Sequence, residues 1–116
     1  MSVSRIKLGD VAVAAGDLGT ARTRYQASLD IRERLVAADP TNTGWQRDLS
    51  VIHNRLGDVA RAAGDLSTAR THYQADLDIA ERLAAADPTN TEWQHDLSVI
   101  RERIAELEDG IRKSQD

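Results

Sequence analysis

Residues 8–43 read LGDVAVAAGDLGTARTRYQASLDIRERLVAADPTNT, and residues 56–91 read LGDVARAAGDLSTARTHYQADLDIAERLAAADPTNT. Extending the alignment pairs residues 8–55 with residues 56–103 at 38 of 48 positions, so the chain carries a 48-residue period. Self-similarity at a period of about 20 to 50 residues marks a stack of like units, each unable to bury its apolar face alone. Each unit is punctuated twice. Gly16-Asp17 and Gly64-Asp65 place a residue tolerant of left-handed backbone before a side chain that accepts helix N–H bonds. Asp39-Pro40-Thr41-Asn42-Thr43 and Asp87-Pro88-Thr89-Asn90-Thr91 then end the second helix, because proline has no N–H and pushes its predecessor out of the α region. Thr43 with Gln46, and Thr91 with Gln94, fit the capping box that opens the next helix.

Between these marks the apolar spacing is helical. Trp45, Leu49, Ile52, Leu56, Val59 and Ala63 recur at three and four residues, as do Leu66, Ala69, Tyr73, Leu77, Ala80 and Leu83. No segment sustains a period of two, so a sheet has no support. The spacing predicts a short helix over residues 3–15 and long helices over 18–38, 43–63, 66–86 and 91–112. The fold class is therefore all-α: five antiparallel helices, about two and a half units, in one domain spanning residues 1–116, with the last helix as a cap.

Composition narrows the function. A formal net charge of -4 argues against general nucleic-acid or anionic-lipid binding, which needs a basic surface. The absence of cysteine removes disulfides, thiolate chemistry and Cys-type zinc sites. The longest unbroken apolar run, Val11 to Ala15, is far below the roughly 20 residues that span a bilayer, and no signal core follows a charged N-terminus. The expectation is a soluble cytoplasmic protein.

The residues around each Gly-Asp turn resemble the tetratricopeptide repeat. Leu56, Gly57, Ala60, Ala69 and Tyr73 meet that family's spacing, and Leu8, Gly9, Ala12, Ala21 and Tyr25 repeat it. The resemblance departs from the pattern in three ways. The unit has 48 residues instead of 34, which lengthens both helices by roughly two turns. The small residue usual in the second helix is Ser28 in one copy and Asp76 in the other. The last copy replaces the Gly-Asp turn with Ile104-Ala105-Glu106-Leu107-Glu108-Asp109-Gly110, the charged pattern of a capping helix.

The resemblance implies a right-handed α-α superhelix, a solenoid whose first helices line a concave groove for a peptide or partner helix. Its groove positions fall on Val3, Ile6, Asp10 and Val13, on Val51, Asn54, Asp58 and Arg61, and on Val99, Glu102, Glu106 and Asp109. The family's clamp for C-terminal carboxylates needs Lys and Asn, whereas Ile6, Asn54, Glu102 and Asp10, Asp58, Glu106 hold those rows. The acidic row points to a basic or mixed-charge partner segment.

Other constellations are weaker. Glu92-Trp93-Gln94-His95 has the Glu-x-x-His spacing of helical metal sites, but Gly44 and Arg47 stand at the equivalent places in the first unit. Ser50 and His53 lack an acid to orient the histidine and a loop to hold an oxyanion. His72 replaces Arg24 and reads as solvent-facing; Trp45 and Trp93 read as packing anchors between units. The Asp30-Ile31-Arg32-Glu33-Arg34 run reads as a solvated outer face. No cofactor, metal or enzymatic chemistry is implied. The expected function is a protein-protein interaction scaffold; the alternative is a self-associating structural repeat element, a swapped dimer or an open stack, whether natural fragment or engineered consensus-like array. In that alternative the 18–38 helix, with no Trp-Gln-Arg-Asp-Leu segment ahead of the first unit, is covered by another chain at the N-terminal repeat end.

Overall fold

A computed structural model describes the backbone of residues 5–114 and the side chains of residues 8–113. Five helices follow in order: α1 (Arg5–Ala14), α2 (Leu18–Ala38), α3 (Thr43–Ala62), α4 (Leu66–Ala86) and α5 (Thr91–Ser114). No strand occurs among the described residues. Of the groove positions expected from the sequence, Val3 and the side chain of Ile6 lie outside the described residues.

The turns form as their chemistry dictates. Gly16 and Gly64 adopt φ of 79° and 83°, in the region that costs other residues steric energy. Asp17 and Asp65 then cap α2 and α4, each accepting from the backbone N–H and the hydroxyl of the threonine three residues on. The capping box at Thr43 and Thr91 is corrected. Asn42 and Asn90 are the capping side chains, accepting from Trp45 N and Trp93 N at 3.0 Å each, and Thr43 and Thr91 are already helical. Asparagine caps at least as well as threonine, and Thr41 and Thr89 are tied back to Asp39 and Asp87 in tight turns that set the asparagine at the helix mouth. Gln46 and Gln94 donate to the carbonyls of Pro40 and Ala84, fastening α3 and α5 to the preceding segment.

Successive helices pack against each other, α1 on α2 through to α4 on α5. The core comes in two matching clusters. Ala12, Ala21, Tyr25, Leu29, Ile52, Leu56 and Val59 form the first; Ala60, Ala69, Tyr73, Ala80, Ala84, Leu97, Ile100 and Leu107 form the second. Five positions of the first recur in the second at the 48-residue offset, four with the same side chain and one with Leu107 in place of Val59, so the same packing problem is solved twice. Alternate helices run parallel: bonds and ion pairs between residues 45 or 49 apart join α3 to α5 from Arg47 to Arg61, and the same 45-residue spacing joins Asp10 of α1 to Arg55 of α3.

Candidate functional site

Gly9 and Gly57 let the helices of each unit touch. A Cβ at Gly9 would lie 2.6 Å from Tyr25 Cδ1, and one at Gly57 would lie 2.5 Å from Tyr73 Cδ1, far inside normal carbon contact. Each tyrosine ring therefore fills the space beside its glycine and is almost wholly buried. Its hydroxyl donates to the carboxylate that follows the glycine, Tyr25 to Asp10 and Tyr73 to Asp58, the latter at 2.5 Å. Burial, the bond donated to the aspartate and that carboxylate's negative charge all push both phenols upward, so they remain neutral donors at any ordinary pH.

Those two carboxylates also hold the next parallel helix, α3 for Asp10 and α5 for Asp58. Arg55 Nε donates to Asp10 at 3.2 Å, and Arg103 Nη1 donates to Asp58 and, at 2.9 Å, to Asn54. A Tyr-Asp-Arg lock thus occurs twice, each closing one helix pair and tying it to the next parallel helix. The third acidic member of the row, Glu106, pairs with Arg61 at 3.6 Å. Asp10, Asp58 and Glu106 do share one side of the molecule, but each already has a cation. The acidic row therefore carries no surplus charge for a partner.

Two furrows lie between the parallel helices on that side. The first, of about 360 Å³, runs between α1 and α3; Asp10, Val13, Arg55, Asp58 and Ala62 form its walls and Tyr25 lies at its base. The second, of about 220 Å³, runs between α3 and α5 and includes Arg47, Asn54, Asp76, Asp96, Val99 and Arg103. Val13, 41% exposed, faces the first. Asn54 is buried at the base of the second, where it donates to Asp76 at 3.2 Å. Glu102 is exposed on α5 outside both furrows.

Asp76 is 5% exposed, and no cation lies within ion-pair distance of it among the described residues. Burial pushes its carboxyl up to about 7, against the smaller opposing pull of the Asn54 hydrogen bond. Its counterpart Ser28 is also buried, so the position keeps the close packing expected of a small residue, and the aspartate is a polar insertion into it. Sequence reasoning flagged Asp76 only as a packing departure.

The other candidates separate. Ser50 donates to the Arg47 carbonyl, and His53 faces away from it toward His72, Nδ1 to Nδ1 at 3.0 Å. His72 is thus half-buried instead of solvent-facing, because α3 brings another imidazole against it. Burial lowers His53 to about 4 and lowers His72 as well, with Arg22 adding to the latter, so both are neutral near pH 7. Glu92 pairs with Arg47 and stands apart from any ligand set; no group of three or more His, Asp or Glu among the described residues is placed to hold a metal. Trp45 and Trp93 are partly buried. Asp30, Glu33 and Arg34 are exposed, but Ile31 and Arg32 of the same run are half-buried, with Arg32 Nε itself buried, so the run is not a wholly solvated face.

No family model, curated protein or solved structure matches the chain. No helix among the described residues is long and apolar enough to cross a membrane.

Proposed function

We propose that the chain is a non-catalytic interaction scaffold of tetratricopeptide type, a right-handed solenoid that takes an extended peptide or a partner helix along the side formed by α1, α3 and α5. The observation that carries this reading is the repeated Tyr-Asp-Arg lock. It spends the polar groups of that side on holding the units in register, and it leaves two furrows edged by Val13, Ala62, Val51 and Val99 between rigid parallel helices. Grooves of preset spacing and mixed apolar and polar lining suit segments that bring their own regular backbone.

Panning a random peptide display library against the chain tests it. Bound peptides should shift the amide resonances of Val13, Val51, Ala62 and Val99, and Ala62→Arg should weaken them about tenfold by filling the first furrow, a loss of about 1.4 kcal/mol. If the only shifts fall on the outer faces, at Asp30, Glu33, Gln74 and Asp78, or if nothing binds below about 1 mM, the scaffold reading fails.

Self-association is the second reading, favoured by the N-terminal end. Leu8, Val11 and Val13 are 40%, 66% and 41% exposed. On α4, Ile79 and Leu83 share the stripe of Asp76 toward α3 and are 4% and 5% exposed, whereas their counterparts Ile31 and Leu35 are only half-buried. Arg32 Nε nearby is buried without a hydrogen-bond partner among the described residues. The other end of the molecule, with Arg101, Glu102, Glu106 and Asp109 exposed on α5, offers no matching apolar surface. A second copy would therefore pack N-terminal end to N-terminal end, about a two-fold axis.

A further inference from the structure

The charges along the furrow between α3 and α5 leave one carboxylate over. Arg47 Nε is held by Glu92 and Asp96 at 2.9 Å each, Arg55 by Asp10 and Arg103 by Asp58. Every arginine there has its carboxylate. Asp76, the most deeply buried acid of the group, is met by the neutral Asn54 amide and Ser50 hydroxyl and by no cation within ion-pair distance among the described residues. An aspartate buried without a counter-ion is costly, and a serine fills the same position in the first unit without that cost.

We infer that this furrow takes one alkylammonium group, a lysine-type side chain of the bound segment, with Asp76 as its counter-ion at the base. The inference rests on the scaffold reading for the nature of the occupant. The furrow volume of about 220 Å³ exceeds that of a butylammonium chain, and Val51 and Val99 on its walls suit the methylenes. One Asp76 oxygen is engaged by Asn54 Nδ2, so the remaining one suits a point charge better than the two-pronged fork of a guanidinium. The groups around Asp76 keep an anion out of competition. Arg103, Asp96 and His95 from α5 and Arg47 and Arg55 from α3 include three arginines already neutralised, and the uncompensated charge is negative. The proposal also moves the basic-partner expectation from the surface row, where each acid is paired, to a single buried acid.

The test uses the whole chain labelled for carboxyl carbon resonances, with n-butylammonium chloride as the probe, 1-butanol and sodium butyrate as its neutral and anionic counterparts, and sodium chloride to match ionic strength. The Asp76 titration midpoint, expected near 7 in the absence of probe, should fall by about 1 to 3 pH units as butylammonium saturates the site, since an opposite charge at contact has that effect. Butanol and butyrate should leave it in place. Asp76→Ser, which copies Ser28, should retain the fold and lose the saturable response. A midpoint moved no further by butylammonium than by sodium chloride, or moved by butyrate, overturns the inference. The scaffold reading is scored separately: peptides that bind Asp76→Ser as tightly as the unaltered chain would sink the ammonium site and leave the scaffold standing.

Discussion

Gly57 and Tyr73 constrain one another, since the ring occupies the space a Cβ would need. Gly57→Ala should therefore cost about 1 to 3 kcal/mol by overpacking, whereas Gly110→Ala, where nothing lies within 4 Å of the added carbon, should gain about 0.5 to 1 kcal/mol from helix propensity. Paired thermal melts of the two variants check this, with shifts of opposite sign expected. The buried titrating groups act in opposite directions. His53 falls from 6.5 to about 4 in the fold, so its contribution is present above 6.5 and is lost as pH falls toward 4. Asp76 rises from 3.8 to about 7, so its contribution is present below 3.8 and is lost as pH rises through 7. Asp76→Ser should consequently gain on the unaltered protein as pH rises from about 4 to 7, by on the order of 2 to 4 kcal/mol, and level off above. Urea unfolding of both proteins across that range reads the difference directly, and a difference independent of pH would show that Asp76 is not buried as described. The glycine turns and aspartate caps could be read from the sequence because their chemistry is local. The His53-His72 contact could not, since the partner sits 19 residues away on another helix. The carboxylate at Asp76 drew notice only because its counterpart is a serine.

Four helix-helix junctions were predictable to within a residue or so because each is marked by glycine, proline or an Asx side chain, and those residues act before any tertiary contact forms. The misassigned caps at Thr43 and Thr91 show the limit: two residues that both cap helices stand side by side, and the choice between them falls to the turn that precedes them. The elements are not equally secure. Among the described residues α1 packs closely on α2 alone, whereas α3 and α4 are each packed closely by a neighbouring helix on either side. Amides of α1 should exchange with deuterium fastest and those of α3 and α4 slowest, by at least about 100-fold if the opening energies differ by 3 kcal/mol. Asp65→Ala should cost about 1 kcal/mol by removing the cap of α4 and should speed exchange in that helix's first turn before the rest. Uniform exchange across α1 and α4 would contradict this order.

Across the whole molecule, the register between α1, α3 and α5 was the part hidden from sequence reading. Nothing local to the arginines at 55 and 103 points to the aspartates 45 residues earlier, against which the parallel helices set them. Their own 48-residue recurrence was the available signal. Mass by light scattering, followed from micromolar to near-millimolar concentration, decides whether the N-terminal end recruits a copy: a rise from 12.8 kDa toward twice that value is expected if it does, and Val11→Glu should abolish the rise. A constant mass would remove self-association. The lock itself has a consequence for how such a chain can change its length. Because the acid stands near the start of a 48-residue period and the arginine at its end, inserting a further copy of residues 56–103 leaves every existing rung joined and adds one. An insertion of any other size between the aspartate and the arginine of a rung would shear that rung, so growth and shrinkage by whole multiples of 48 are the steps this architecture tolerates, and each added unit should raise the unfolding free energy by an interface as well as by its own folding.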